Sequence, residues 1–250
     1  MRAPYTRVHI FLLSLHIVLF IVWLKKLLNG SNDCVNYRKE RDQLSRLLNL
    51  KSKELARRDC NESNLVSTTG GWCNKALENG HYIDQSLALG LADYLEGNTV
   101  ASFGDGNGIY RNILLGSKLI PTYDSYDGAP YIEEWTNGST KYIDLTNPVY
   151  GLPLYDWILS LEVGEHIPTE YEAIFLDNIC RFAAKGVILS WAPPGQIGVN
   201  HVNPRTSEYL LAQMADRGYE LDPGLAVKLR RRCSLPWLRQ NLRVYRRQFV

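Results

Sequence analysis

The sequence has little net charge: its 250 residues give a formal value of +2 at pH 7. A chain so nearly balanced has no overall field that would favour a polyanionic partner. It also contains no Asp-x-Asp motif and no visible internal repeat. Hydrophobic residues make up 45% of the chain. Its length therefore suits one ordinary domain with a full core, together with appendages.

The segment Val8–Leu24 contains no Asp, Glu, Lys or Arg. As a helix it would span roughly 25 Å, near the short limit for crossing a bilayer. We therefore predict a single-pass transmembrane anchor within residues 1–30. A cleaved signal peptide is the alternative, but the apolar run is long and no small-x-small cleavage site follows it.

The residues around this segment give conflicting indications of membrane orientation. Lys25, Lys26 and the basic residues soon after them favour a cytosolic C-terminal side by the positive-inside rule. Three Asn-x-Ser sequons, at Asn29, Asn61 and Asn137, favour the lumen instead. The five cysteines permit disulfides without demonstrating them. We predict a type II membrane protein of the endoplasmic reticulum or Golgi, with its main domain in the lumen.

Residues 31–71 differ in composition from the rest of the chain. Residues 31–60 are rich in Arg, Lys and Glu, and Leu44, Leu48 and Leu55 recur at helical spacing. This pattern predicts a solvated stalk helix, and a short coiled coil that pairs two chains is the alternative. The polar residues 61–71 then form a linker. The predicted domains are a tail and anchor (1–30), a stalk and linker (31–71) and a folded domain (72–250).

From Trp72 onward, helix and strand patterns alternate along the chain. This alternation predicts an α/β fold: a Rossmann-like, doubly wound, mainly parallel sheet with a C-terminal antiparallel strand pair. Ligands of such sheets bind at the carboxyl ends of the strands. The strand candidates are Thr99–Phe103, Leu119–Tyr126, Lys141–Asp144, Tyr155–Leu161, Val187–Trp191, Tyr219–Leu221 and Leu242–Arg246.

A glycine-rich loop follows the first strand candidate. Gly104, Gly106 and Gly108 occupy alternate positions, with Asp105 among them. Because glycine has no Cβ, a ligand can lie directly against the backbone of such a loop. Dinucleotide-binding enzymes prefer the spacing GxGxxG, so GxGxG makes a dehydrogenase the less favoured interpretation. An ordinary glycine turn without a ligand is the alternative.

Carboxylates follow the next two strand candidates. Asp124 lies near the end of the second candidate and Asp127 directly follows it. A carboxylate at that point can accept hydrogen bonds from both ribose hydroxyls of an adenosine ligand. We prefer Asp127 because Gly128 follows it, as a turn requires. Asp144 ends the third candidate and could accept the adenine amino group. For each of these residues, a role in a turn or a helix cap is the alternative.

Two carboxylates and an imidazole follow the fourth strand candidate. Glu162, Glu165 and His166 are spaced i, i+3 and i+4, so one tight turn would direct all three to the same side. Two carboxylates facing one point repel each other unless a cation joins them. A divalent ion with oxygen and nitrogen ligands meets that demand, and His201, after the fifth strand candidate, is a fourth possible ligand. Alternatively, His166 caps a helix and His201 forms a hydrogen bond within its loop.

Gly104–Gly108, the acidic strand ends and the Glu162-x-x-Glu165-His166 segment together resemble class I S-adenosylmethionine (SAM)-dependent methyltransferases, over roughly Trp72 to Arg247. The Glu-x-x-Glu-His motif with a later histidine is similar to that of metal-assisted O-methyltransferases. The chain also resembles a group of membrane-tethered methyltransferase-like proteins. The resemblance implies SAM binding by Gly104, Asp105, Gly106, Gly108, Asp127 and Asp144. It further implies that Glu162, Glu165, His166 and His201 hold Mg²⁺ or another divalent metal, with Glu165, His166 and His201 catalytic.

Other functions fit parts of the sequence. An anchor, a stalk and a lumenal domain are also the layout of Golgi glycosyltransferases, but those enzymes usually need the Asp-x-Asp site that is missing here. A membrane-tethered scaffold without turnover is a further alternative. Arginines with interleaved aromatics between Lys228 and Arg247 suit a nucleic acid, although a solvated helix face explains them better. We therefore expect a small-molecule or glycan-like acceptor rather than a nucleic acid.

Overall fold

The computed structural model describes residues 34–60, 64–74, 76 and 82–248. The chain divides into two compact units, Met1–Arg41 and Asp42–Val250. Of the first unit only residues 34–41 are described, and they form the start of helix α1 (Cys34–Asp59). The rest of α1, the sheet and the remaining helices lie in the second unit.

The predicted membrane localisation is corrected here. In the part of the chain that the structure describes, no helix is both long enough and apolar enough to cross a bilayer. The predicted anchor, Val8–Leu24, lies outside the described residues. The assignment to the endoplasmic reticulum or Golgi as a single-pass type II protein is therefore not carried further.

The described residues form one seven-stranded sheet with the order β3-β2-β1-β4-β5-β7-β6. Strands β1 to β5 pair in parallel, whereas β7 runs antiparallel to both β5 and β6. This arrangement confirms the predicted Rossmann-like fold class with its antiparallel C-terminal pair. The strands are β1 (Thr99–Phe103), β2 (Thr122–Asp127), β3 (Thr140–Tyr142), β4 (Tyr155–Leu161), β5 (Ala183–Ser190), β6 (Tyr219–Leu221) and β7 (Arg243–Arg247).

Helices cover both faces of this sheet. Successive strand side chains point to opposite faces, so β1 sends Val100 into one apolar cluster and Ala101 and Phe103 into the other. Burial on both faces explains why the central strands read as nearly continuous apolar runs. The helices that follow α1 are α2 (Gln85–Tyr94), α3 (Ile109–Gly116), α4 (Ile132–Trp135), α5 (Glu172–Phe182), α6 (Ser207–Ala215), α7 (Pro223–Arg232) and α8 (Pro236–Asn241).

The C-terminal part of helix α1 packs on the domain through small and polar residues. Asn49 donates a 3.1 Å hydrogen bond to the carbonyl of Tyr142 and accepts one of 2.8 Å from the amide of Asp144. Ser52 is buried and donates a hydrogen bond to the Asp144 carboxylate. Residues 42–59 are therefore more than a solvated stalk. The predicted boundary at residue 72 and the stalk-mediated dimer stay predictions.

Candidate functional site

A cavity of about 570 Å³ opens where the parallel strands end. Gly104 after β1, Asp127 at the end of β2, Asp144 after β3 and His166 after β4 all line it. This is the edge at which ligands of doubly wound sheets bind, and the volume lies within the range of roughly 300–1,000 Å³ usual for ligand pockets. The carboxyl-end placement expected from the sequence is therefore observed.

The glycine loop turns through left-handed backbone conformations. Gly104, Gly106 and Gly108 have φ angles of 91°, 58° and 73°, which side chains with a Cβ rarely adopt. A Cβ on Gly104 would also lie 2.2 Å from Cγ2 of Val163. The first glycine thus allows the loop after β4 to pack on the loop after β1. Gly106 and Gly108 are buried, and Gly104 is the member of this set that lines the cavity.

Asp105 lies inside the domain rather than on the cavity wall. Its carboxylate accepts hydrogen bonds of 3.0 Å from the hydroxyl of Tyr123 and 2.6 Å from that of Ser125. Burial raises the pKa of Asp105 to about 6, and the two hydroxyl donors oppose that rise. Its contacts are those of a residue that fixes the glycine loop to β2, rather than those of a cofactor ligand.

Asp127 and Asp124 have separate environments. Asp127 lines the cavity, and its carboxylate oxygens accept 2.8 Å hydrogen bonds from the amides of Gly106 and Ala129. Asp124 instead accepts a 2.6 Å hydrogen bond from the hydroxyl of Tyr155. Each carboxylate oxygen has two lone pairs, so Asp127 retains acceptor capacity toward the cavity. Of the two carboxylates, Asp127 is the one that lines the cavity, and its predicted role toward a ribose stays a prediction.

Asp144 lines the cavity, but its carboxylate is engaged by the protein. Thr146 donates to it from its amide at 2.8 Å and from its hydroxyl at 2.6 Å. Asn147 donates at 2.6 Å, and Ser52 of α1 provides a further donor. This saturated carboxylate favours the turn-cap alternative over recognition of an adenine amino group.

Glu165, His166 and His201 come together beside the cavity, which His166 and His201 line. Each offers one possible ligand atom, and these three atoms lie within 4.8 Å of one another. Glu165 is fully buried, and neither of its carboxylate oxygens has a hydrogen-bond partner among the described residues. Burial raises the pKa of Glu165 well above its ordinary value, and repulsion from Glu162 raises it further. A buried carboxylate without a hydrogen-bond partner indicates either a bound cation or a protonated carboxyl group.

Both imidazole rings contact a backbone carbonyl through Nδ1. His166 meets the carbonyl of Asn200 at 3.2 Å, and His201 meets that of Gln196 at 3.0 Å. A carbonyl can only accept, so the proton lies on Nδ1 and the lone pair of the neutral ring lies on Nε2. Such a contact is the usual way in which proteins orient a histidine that binds a metal or accepts a proton.

Glu162 lies beside this cluster, but other residues bind its carboxylate. It has a φ angle of 56°, and its carboxylate accepts hydrogen bonds of 2.9 Å from the side-chain amide of Asn241 and 2.7 Å from that of Gln196. The structure thus brings together three of the four predicted metal ligands. Glu162 lines the same cavity, where it adds negative charge close to Glu165.

The wall of the cavity is acidic and apolar. Asp127, Asp144 and Glu162 line it, and the described residues that line it include no lysine or arginine. The exposed side chains of Ile197 and Val199 form part of the same wall. Cations and uncharged molecules fit these surroundings better than anions do.

Two parts of the wall were not predicted from the sequence. One is Thr69–Trp72, which spans the end of the predicted linker and the first residue of the predicted folded domain, and the other is Trp237 and Leu238 of α8. The adjacent residues Gly70, Gly71 and Trp72 were the signal in the sequence for the first part. No local pattern marked the second.

Comparisons with known proteins rest on structure, since no family model and no curated protein matches the sequence. The sugar N-methyltransferase KedS8 of a Streptoalloteichus species superposes with a TM-score of 0.55 at 13% identity, covering 76% of this chain and 98% of that chain. SAM-bound CalS10, an amino pentose methyltransferase of Micromonospora echinaspora, gives 0.51 at 14% identity, covering 75% of this chain and 100% of that chain.

The fold is that of class I SAM-dependent methyltransferases. This confirms the resemblance that the glycine loop and the acidic strand ends indicated. Fold and function are separate conclusions at such low identity, because one fold serves many chemistries. The cavity of this methyltransferase fold lies at the edge where its strand order reverses, between β1 and β4.

Proposed function

We propose that the protein is a SAM-dependent methyltransferase that transfers a methyl group to an uncharged or cationic acceptor. The observation that carries this proposal is the acidic cavity at the strand ends of a methyltransferase fold, lined by Asp127, His166 and His201, with the buried Glu165 next to the two histidines. The two groups of residues suit the two halves of a transfer reaction, cofactor binding and acceptor activation.

The cavity suits the charge and hydrogen-bonding groups of SAM. Asp127 lines it and retains acceptor capacity for ribose hydroxyls, and the absence of lysine and arginine among the described lining residues avoids repulsion of a sulfonium. When bound, SAM supplies a methyl group that its positive sulfur already makes electrophilic. The protein then has to align the acceptor and manage its proton.

His201 is our candidate general base. Its Nδ1 is bonded to the carbonyl of Gln196, so Nε2 is the nitrogen that can take a proton from an acceptor hydroxyl or amine. A Cβ on Gly198 would lie 2.0 Å from Nε2 of His201, so the ring is closely packed against that glycine. His166 is the second candidate base. The neighbouring Glu165 can stabilise an imidazolium once a proton has been accepted.

The same three residues suit a divalent metal. One buried carboxylate without a hydrogen-bond partner and two imidazoles with lone pairs on Nε2 provide mixed oxygen and nitrogen ligands. When bound, an ion such as Mg²⁺ or Mn²⁺ would supply Lewis acidity that lowers the pKa of an acceptor hydroxyl. Metal assistance would make an oxygen nucleophile the favoured acceptor group.

The charge of the cavity also argues against other functions. A glycosyltransferase must bind the pyrophosphate of a sugar nucleotide, and a nucleic-acid methyltransferase must bind a phosphodiester backbone. Both tasks call for basic residues, which are missing from the described lining. This lining supports a small-molecule or glycan-like acceptor. A methyl-transfer assay separates a scaffold without turnover from an enzyme.

Isothermal titration calorimetry of the full chain tests the proposal. We expect binding of SAM and of its demethylated product, S-adenosylhomocysteine (SAH), and none of UDP-sugars. We also expect binding of Mn²⁺. In a separate assay with radiolabelled SAM, we expect slow transfer of the methyl group to water, or to small phenols and sugars when these are offered. No affinity for SAM or SAH would reject the methyltransferase proposal, whereas binding without transfer would favour the scaffold.

A further inference from the structure

A small hairpin forms one wall of the cavity. Residues 65–73 fold back through an antiparallel bridge between Val66 and Trp72, with a 2.8 Å hydrogen bond from the amide of Cys73 to the carbonyl of Leu65. A second 2.8 Å bond joins the amide of Ser67 to the carbonyl of Gly71. The tip and the returning strand, Thr69–Trp72, line the cavity. We call residues 65–73 the hairpin wall.

The hairpin wall presses its backbone against two loops of the site. A Cβ on Gly70 would lie 2.2 Å from the carbonyl oxygen of His166, and a Cβ on Gly71 would lie 2.0 Å from that of Gly128. The adjacent Trp72 ring meets the imidazole of His166 edge-on, with ring centroids 5.9 Å apart. One hairpin therefore contacts both the loop that follows Asp127 and the loop that carries the Glu165–His166 pair.

A disulfide between Cys60 and Cys73 fastens the hairpin wall. It joins the last residue of the hairpin to the residue just after α1, and α1 is itself anchored by a 3.1 Å hydrogen bond from Arg57 to the carbonyl of Pro130. The hydroxyl of Thr68 adds a 2.6 Å bond to Asp59. A hairpin this short is not stable alone, so its position depends on these tethers.

We propose that the hairpin wall is a positioning element of the methyl-transfer site, and that the Cys60–Cys73 disulfide holds it against Gly128 and His166. The inference rests on the proposed function. The disulfide acts on binding because it keeps the wall ordered before the ligand arrives. Without it, binding has to order the wall, and the entropy cost of that ordering weakens affinity.

Two kinds of substitution test this inference by SAH titration of the full chain. We expect the double variant Cys60→Ser, Cys73→Ser to bind SAH about tenfold more weakly than the wild type, because a loosened wall must be ordered on binding. Cys34→Ser, at an exposed free thiol, is the matched control and keeps wild-type affinity. Gly71→Ala leaves the disulfide intact but drives a Cβ against Gly128, so it should weaken binding similarly. Gly116→Ala, whose Cβ would meet no atom within 4 Å, serves as its control.

General destabilisation is separated from positioning by a third variant. Met214→Ala removes a buried side chain of α6 that does not line the cavity. At a temperature where circular dichroism shows all variants folded, it should bind SAH with wild-type affinity despite its lower melting temperature. Wild-type affinity in both the disulfide variant and Gly71→Ala would overturn the inference. A wild type that fails to bind SAH would instead reject the proposed function.

Discussion

The backbone amide of Gly106 donates a 2.8 Å hydrogen bond to Oδ2 of Asp127. This bond joins the middle of the glycine loop to the carboxyl end of the neighbouring strand, so the two parts of the proposed cofactor site form one unit. It also fixes the carboxylate in one orientation at the cavity wall, which preorganises it for a ligand.

Asp127→Asn should weaken SAH binding by roughly 10- to 100-fold. The amide side chain lacks the charge of the carboxylate and turns one donor toward groups that need an acceptor, and charge-assisted hydrogen bonds are worth about 1.5–3 kcal/mol. Asp124→Asn is the matched control, since Asp124 bonds to Tyr155 and does not line the cavity. Calorimetric titration of both variants measures the difference. Equal losses in the two would argue against Asp127 as the ribose acceptor.

Substitutions in and beside the Glu165–His166–His201 cluster should show whether a bound metal has three protein ligands or four. Glu165→Gln and His201→Ala should each lower Mn²⁺ affinity by about tenfold or more, because the first removes the negative charge of a ligand and the second removes a ligand atom. Glu162→Gln should keep affinity within a few-fold, since the carboxylate of Glu162 is bound by Asn241 and Gln196. Calorimetry or electron paramagnetic resonance of bound Mn²⁺ provides the readout. A loss for Glu162→Gln as large as for Glu165→Gln would restore the four-ligand prediction.

Gly198→Ala should disturb His201 without changing any ligand. The new Cβ would lie 2.0 Å from Nε2 of His201, so the imidazole has to move. We expect Mn²⁺ affinity to fall as it does in His201→Ala, while SAH affinity stays within about twofold because Asp127 is untouched. Gly116→Ala supplies the control for an alanine introduced in open space. An unchanged Mn²⁺ affinity would contradict the ligand role of His201.

Asp105 should make the domain less stable as the pH rises from about 4 to about 6. Burial raises its pKa from 3.8 to about 6, so in this range the folded state binds more protons than the unfolded state. Asp105→Asn removes this titration. The free energy of unfolding of the wild type relative to the variant should therefore fall, by on the order of 3 kcal/mol in total, at about 1.4 kcal/mol per pKa unit. Urea denaturation of both proteins at pH 4 and pH 7 measures this, and a constant difference would refute it.

Ser52→Ala should lower the free energy of unfolding by about 1–3 kcal/mol, because it removes a donor from the buried carboxylate of Asp144. Ser86→Ala, at an exposed position of α2, gives the comparison for the same substitution at the surface. Urea denaturation of both variants is the measurement. If Ser52→Ala costs no more than Ser86→Ala, then the hydrogen bond between Ser52 and Asp144 does not contribute to the stability of the domain.

The leucine spacing of α1 gave no indication of how this helix packs. Leu44, Leu48 and Leu55 form the apolar stripe in the sequence, but Leu44 and Leu48 are only half-buried, Leu55 is 40% exposed, and the buried residues of α1 are Ser52 and Ala56. Small and polar residues make up the docking face, and their partners are hydrogen-bonding groups of the β3 region. Hydrophobic periodicity cannot detect such a face, because it registers only apolar side chains.

The spacing of Glu162, Glu165 and His166 predicted that one turn would direct all three to the same point. The turn exists, but Glu162 has a φ angle of 56° and its carboxylate faces Asn241, which is 79 positions further along the chain. A local spacing rule assumes regular helical geometry. It fails here because a left-handed residue precedes the turn and a distant amide supplies a better partner.

The sequence by itself determined the alternation of strands and helices, the glycine loop and the preference for Asp127. These follow from local steric and periodic rules that need no knowledge of distant residues. Only the tertiary structure decided that Asp144 is bound by Ser52, 92 positions away, and that the hairpin wall lies against His166. Hydrogen bonds and backbone contacts between distant segments depend on how the whole sheet and its helices pack, and no local pattern encodes that packing.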